Sequence, residues 1–177
     1  GIHSRTDFDL KQHEEHSGKK LRYFDPETNE SYVPFVLETS IGLDRMFLAV
    51  LSSSLQDETL EDGSERVVMR IPAPLAPIKA AVLPLTKKDG MPDKAREMIN
   101  ELKYDFNTYY EEKDTIGKRY RRQDAIGTPF CITVDHQTLE DNSVTLRDRD
   151  TMIQERISVK KLHAIIAEKV SINKYLA

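Results

Sequence analysis

The sequence predicts a mixed α/β chain, α+β taken as a whole, built as two successive units. Three observations carry that expectation. From Ile78 onward, short apolar runs alternate with amphipathic stretches in the order β-α-β-α-β-β-β-α, the pattern of a mixed sheet flanked by helices. Ahead of that run, Pro72, Pro74 and Pro77 make a stiff connector, and the domain boundary is expected between residues 74 and 75. The charge also changes sign: residues 1–75 hold 8 Lys+Arg against 14 Asp+Glu, or −6, and residues 76–177 hold 18 against 16, or +2. Such asymmetry points to units with different partners.

Taken in order, residues 1–24 are polar and mixed, with scattered apolar positions at Phe8, Leu10, Leu21, Tyr23 and Phe24. Asp25-Pro26-Glu27-Thr28-Asn29 is a turn by its chemistry, because proline fixes φ while Asp and Asn bond their own backbone. Tyr32 to Leu37 reads as a strand that could form a hairpin with Leu21–Phe24. Ile41 to Leu55 reads as a helix, with Thr39 or Ser40 as its N-cap. QDETLEDGSE, residues 56–65, is acidic and reads as an exposed loop, followed by a short strand from Val67 to Ile71. In the second unit Ile78–Leu85, Asn107–Glu112 and Phe130–Val134 read as strands, with a hairpin from the last into Val144–Arg147 and an edge strand near Ile153–Ile157. Met91–Lys103, Ile116–Ile126 and Val159–Val170 read as helices.

Composition narrows the class. Charged residues make up 32% of the chain and no apolar run approaches about 18 residues, so a globular chain with no membrane partner is expected. Cys131 is the single cysteine, which excludes an internal disulfide and a cysteine zinc site and fits a cytoplasmic location. The opening GIHSRTDFDL has neither an initiator methionine nor a signal-peptide core, and reads as the start of an excised piece.

Two stretches carry chemistry. In Glu38-Thr39-Ser40-Ile41-Gly42-Leu43-Asp44-Arg45, a strand delivers Glu38 and Ser40 to its end. Gly42 lets a ligand approach the backbone, and the first-turn N–H groups of the following helix are free to meet an anion. Arg45 stands where a cation is disfavoured by about 0.3–1 kcal/mol, yet its planar guanidinium suits an aromatic base or a phosphate. The alternative is that Arg45 pairs with Asp44 or Glu38 and Gly42 eases packing. In TIGKRYRRQDAIG, Lys118, Arg119, Arg121 and Arg122 surround Tyr120, a mixture that suits phosphates plus one stacked base. A solvated face balanced by Glu111, Glu112 and Asp124 would look the same. Arg147 and Arg149 alternate with Asp148 and Asp150 and should face one side of a strand, either toward RNA or in a ladder of ion pairs with the aspartates and Lys118. His13-Glu14-Glu15-His16 has the wrong spacing for a zinc helix, so no metal site is expected. Cys131 reads as a buried small hydrophobe.

ETSIGLDR, set between a strand and a helix, resembles the third signature motif of the class II aminoacyl-tRNA synthetases. RTDFDL, FDPET, ETSIGLDR, LAPIKAAVLPL, IGKRYRRQDAIGTPFCITVD and TLRDRD match, in that order, the pattern of the dimeric glycyl-tRNA synthetase family, over essentially all 177 residues. The resemblance implies that residues 1–74 are the remnant of a class II synthetase antiparallel-sheet catalytic domain. Residues 75–177 would then be a mixed five-stranded α/β anticodon-binding domain. It implies a glycine site at Glu38, Thr39, Ser40, Ile41 and Gly42, and ATP contacts at Gly42, Leu43, Asp44 and Arg45. It further implies anticodon contacts at Lys118, Arg119, Tyr120, Arg121, Arg122, Arg147 and Arg149, which would read two cytosines. The partners it implies are glycine, ATP and glycine tRNA, with Mg²⁺ and a homodimer in the full-length enzyme. The implied activity is aminoacyl-tRNA ligation. Its catalytic groups would lie upstream, so this chain is expected to hold no catalytic residue and to be inactive alone. The rival is a non-catalytic nucleic-acid-binding module derived from a class II synthetase, which the intact ETSIGLDR disfavours.

Overall fold

A computed structural model describes residues 1–176, so the last residue of the unit expected at 75–177 lies outside them. Two compact units divide between Leu48 and Ala49.

In the first unit, β1 (Ile2–Thr6) pairs antiparallel with β4 (Val36–Thr39), Ile2 facing Thr39. Between them lie α1 (Phe8–Ser17) and the hairpin β2 (Tyr23–Asp25)–β3 (Glu30–Tyr32). The expected hairpin partner of residues 21–24 is therefore β3, and the expected Tyr32–Leu37 strand is two strands. Pro34, which lacks the N–H a ladder needs, falls in the break between them. β1 and α1 were not predicted: β1 is exposed throughout and α1 buries no residue, so neither has a buried apolar face to give a period. Helix α2 (Leu43–Ser54) opens later than expected, with the Met46 N–H donating to the Gly42 carbonyl at 3.0 Å. Thr39 and Ser40 do not cap it. Thr39 belongs to β4, and the Ser40 N–H donates to the Gly1 carbonyl at 3.0 Å.

The second unit takes in α2 from Ala49 onward and then the hairpin β5 (Leu55–Thr59)–β6 (Glu65–Met69), where a loop was expected over 56–65. The acidic composition hid a period of two: Glu58 faces Arg66 across the ladder, and Arg66 and Val68 are buried. β7 (Ala80–Pro84), α3 (Met91–Leu102), β8 (Thr108–Tyr110), α4 (Ile116–Ile126), β9 (Phe130–Val134), α5 (His136–Asp141), β10 (Ser143–Asp148), β11 (Gln154–Ser158) and α6 (Val159–Val170) follow. The five strands form one mixed sheet in the order β11-β10-β9-β7-β8, as the alternation predicted. β7 is parallel to β8 and β9, and β10 is antiparallel to β9 and β11.

Alternation along β7 and β9 builds two cores. Ala80, Val82, Phe130, Ile132 and Val134 turn to one face, where Met91, Ala95, Met98 and Leu102 of α3 and Leu162 and Ile166 of α6 cover them. Ala81, Leu83 and Cys131 turn to the other, under Ile116 and Tyr120 of α4. Each fully buried aliphatic side chain contributes about 1.5–3 kcal/mol. Between β9 and β10, where a plain hairpin was expected, α5 is held by a capping box. The Asp135 carboxylate accepts from the Thr138 N–H and the Thr138 hydroxyl accepts from the Asp135 N–H, both at 3.0 Å.

The proline connector does not separate compact units. Arg66 lies inside the second unit, donating to Asp124 Oδ2 at 3.1 Å, to the Arg149 carbonyl at 3.0 Å and to Glu58 Oε2 at 2.8 Å. Asp124, fully buried, also accepts a two-pronged pair from Arg147 at 2.7 and 2.9 Å. Arg149 donates to the carbonyls of Gly127 and Ile71 at 2.9 Å each and pairs with Asp150, while Arg70 bridges Glu58 and Asp150. Gly127, at φ +86°, closes α4 where a Cβ would stand 2.9 Å from Ile71 Cγ2 and 3.2 Å from the Met69 carbonyl oxygen. The Lys79 ammonium fastens the connector itself, donating to the carbonyls of Ala73, Pro74 and Ala76 at 3.2, 2.7 and 2.8 Å.

Removing one partner from a buried ion cluster costs far more than the pair contributes. Asp124→Ala leaves two buried guanidinium groups short of a partner, and urea unfolding should show a loss of about 3–5 kcal/mol; a loss below about 1 kcal/mol would refute the central place given to Asp124. Glu58 gives a pH signature. Burial alone would raise its carboxyl, but hydrogen bonds from Arg70 and Arg66 outweigh that and hold it below the ordinary glutamate range. A depressed carboxylate stabilises fully above its unfolded value, about 4, and loses that contribution as pH falls through the folded value. Glu58→Gln should therefore be less stable than the parent at neutral pH and should flatten the acid limb of its stability–pH curve.

Candidate nucleic-acid interface

The inner face of α4 is set by its period. Ile116, Arg119, Tyr120, Gln123 and Asp124 recur at helical spacing and turn inward, while Lys118, Arg121 and Arg122 lie on the outer side. The seven residues expected at the anticodon separate accordingly. Arg119 is buried, with Nη1 donating to the Pro84 carbonyl at 2.6 Å and Nη2 to the Leu85 carbonyl at 3.2 Å, so it closes the end of β7. Burial pushes its guanidinium down from the ordinary arginine value. Tyr120 is half-buried: its hydroxyl hydrogen-bonds Thr133 Oγ1 at 2.6 Å and its ring lies 4.8 Å beneath the Arg147 guanidinium. Arg147 and Arg149 are buried in the ion cluster. They turn to one side as expected, but toward Asp124 and Asp150 rather than Asp148 and Lys118. Arg119, Arg147 and Arg149 thus make their hydrogen bonds inside the fold, and Tyr120 is half-buried beneath Arg147.

Lys118 is exposed and makes no ion pair among the described residues. Arg122 is partly exposed, paired with Glu111 Oε1 at 2.6 Å and Asp114 Oδ2 at 3.1 Å. Arg121 reaches Ser64 Oγ at 3.3 Å. The sequence reading passed over three neighbours: Lys87 and Lys88 in the loop after β7, and Lys113 in the loop before α4, all exposed. Arg119 bonds both loops, through the Leu85 and Glu111 carbonyls, and so draws them together at the carboxyl ends of β7 and β8. α3 leaves β7 toward one face of the sheet and α4 leaves β8 toward the other. Such a reversal opens a crevice at the strand ends, the usual ligand position in open α/β sheets. The signal available in the sequence was the placement of three lysines just beyond two parallel strands.

In the first unit, Glu38, Thr39, Ser40, Ile41, Gly42, Leu43, Asp44 and Arg45 run exposed from the end of β4 into α2. Glu38 lies 3.6 Å from the Arg5 guanidinium, itself paired with Asp9 at 2.9 Å. Arg45 makes no ion pair among the described residues, and its Cδ would lie 3.7 Å from a Cβ placed on Gly42, so it pairs with neither Asp44 nor Glu38. No group of three His, Cys, Asp or Glu that could hold a metal ion occurs among the described residues, and none of their helices is long and apolar enough to cross a membrane. Burial pushes the Cys131 thiol up to about 12, which makes it inert.

Comparison with known proteins gives this geometry its family. A family described as anticodon binding domain matches residues 79–169, just over half of the chain. Among curated proteins, the glycine–tRNA ligase of Clostridium tetani is 56% identical over 170 residues and that of Chlorobaculum tepidum 53% over 170, each covering 96% of this chain. The chain spans 36% of the length of each. Among solved structures, the RNA-binding domain of threonyl-tRNA synthetase from Cryptosporidium parvum superposes with a TM-score of 0.63 at 20% identity, over 84% of this chain and 35% of that one. With a five-stranded mixed sheet whose basic strand ends and matching segment coincide, the chain belongs to the anticodon-binding domain family.

Proposed function

We propose that the chain is part of a glycine–tRNA ligase, the enzyme that activates glycine with ATP and transfers it to glycine tRNA, and that its second unit binds the anticodon arm. The observation that supports this reading most is the identity of 51–56% to curated glycine–tRNA ligases along 96% of the chain. Within the reading, residues 75–177 act as the anticodon-binding module, with β5 and β6 as its brace. RNA meets the carboxyl ends of β7 and β8, where Lys113 and Lys118 neutralise phosphates and Arg122 lies within reach of a base edge. Glu38 and Ser40 belong to the glycine site with Thr39, Ile41 and Gly42: a carboxylate suits the ammonium, and crowding at Cα rejects larger amino acids. Gly42, Leu43, Asp44 and Arg45 belong to the ATP site, where the unpaired guanidinium of Arg45 is free to stack on adenine. In the whole enzyme Mg²⁺ would neutralise the phosphates of ATP. The reading carries a cytoplasmic, homodimeric parent enzyme.

Three outcomes test it. The isolated chain should form no glycine- and tRNA-dependent AMP, and its appearance would contradict the division of labour. The chain should bind glycine tRNA with a preference of about 1–3 kcal/mol per altered anticodon cytosine. Lys118→Ala should lower affinity about equally for native and substituted anticodons and reduce the salt slope by about 1, whereas equal binding of all tRNAs by the unaltered chain would remove the anticodon assignment.

A further inference from the structure

The two strands β1 and β4 do not pair evenly. Their register steps from Ser4 opposite Leu37 to Thr6 opposite Val36, and Arg5 falls at the irregularity with no partner. Irregularities of this kind re-aim a side chain and recur beside functional sites. Thr6 closes the step at φ +53°, a left-handed backbone that a β-branched residue rarely adopts. Its hydroxyl donates to the Arg5 carbonyl at 2.7 Å. β1 is exposed throughout and α1 buries no residue, so packing does not account for the strain. The Arg5 guanidinium is locked as well: Nε and Nη2 donate to the two carboxylate oxygens of Asp9, in the first turn of α1, at 2.9 and 3.0 Å. The hydrogen bond from Arg5 holds the Asp9 carboxyl below the usual aspartate range. So placed, the guanidinium lies 3.6 Å from Glu38. His3, directly opposite Glu38 in the ladder, makes no ion pair with it among the described residues. A shifted register, a strained residue and a locked fork thus converge on one carboxylate.

We propose that Arg5 is a positioning residue for Glu38, fixed by the Asp9 fork and the Ser4–Thr6 irregularity so that the Glu38 carboxylate stands where the glycine ammonium meets it. The inference rests on the reading that Glu38 belongs to the glycine site, and it adds the residues that orient it. A glutamate side chain turns about several bonds, while a group that meets a small ligand must be held to about 0.5 Å. Arginine suits this task because its planar fork can pair with one carboxylate and still present charge to a second.

The test uses the whole enzyme that contains this chain, read by glycine-dependent ATP–pyrophosphate exchange. Asp9→Asn and Arg5→Lys should each lower kcat/KM for glycine about tenfold, while KM for ATP stays near the parent value. Lys11→Gln, which breaks the exposed ion pair with Asp7 at the start of α1, should leave both at parent values. Glu38→Gln should lower kcat/KM for glycine by about 100-fold. In that background Asp9→Asn should have no further effect, because Arg5 acts through the Glu38 carboxylate. Parent values in Asp9→Asn and Arg5→Lys, beside a loss in Glu38→Gln, would overturn the positioning role and leave the glycine site standing. A full added loss in the Glu38→Gln background would overturn it too, since Arg5 would then act independently of Glu38. An equal rise in KM for ATP would mark a general loss of structure and overturn it as well. Parent values in Glu38→Gln, or no glycine-dependent exchange by the unaltered enzyme, would overturn the glycine-site reading and this inference with it.

Discussion

A carboxylate with no access to water is tolerated only where hydrogen-bond donors surround it, and in this chain that constraint falls on Asp124. Three guanidinium hydrogen bonds reach it, two from Arg147 on β10 and one from Arg66 on β6. Because both arginines are themselves buried, neither can leave without exposing the other members to an uncompensated charge. Helix α4 is therefore seated on the sheet by charge as much as by the small apolar patch of Ala81, Leu83 and Cys131 beneath it. The larger core on the opposite face of the sheet, with α3 and α6, needs no such device.

This explains which parts of the fold could be read from the sequence. Strands β7 and β9 and helices α3 and α6 carry apolar residues at the period of their own secondary structure, and each was placed from that period. The hairpin β5–β6 was missed because its inward positions are Glu58, Arg66 and Val68, a charged pair where a strand pattern needs apolar residues. Helix α5 was missed because six residues give no period, although Asp135 and Thr138 carried a capping signal. β1 gives no burial pattern at all, since its order comes from pairing with β4.

The basic helix was the hardest to read, for a related reason. Charge counts treat Lys118, Arg119, Arg121 and Arg122 as one group, while the helical period divides them. Had the spacing of Ile116, Tyr120 and Gln123 been taken as an inner face, Arg119 and Asp124 would have been assigned to it as well. Arg147 and Arg149 do make ion pairs, Arg147 with Asp124 far back along the chain and Arg149 with its neighbour Asp150. Arg45 went the other way: among the described residues it pairs with neither Asp44 nor Glu38, and it stands exposed in the first turn of α2.

The same cluster dictates an order of events. Arg66 meets Asp124 across 58 residues and the Arg149 carbonyl across 83. A hairpin made early on the ribosome therefore meets α4 first, and its ion cluster is complete only once Arg147 on β10 has joined Asp124. Long-range closure of this kind slows folding, and it makes a late strand, β10, the one that completes the cluster around the earlier β5–β6 hairpin. Synthesis halted before β10 would leave α4 on its apolar patch but Asp124 without the Arg147 pair.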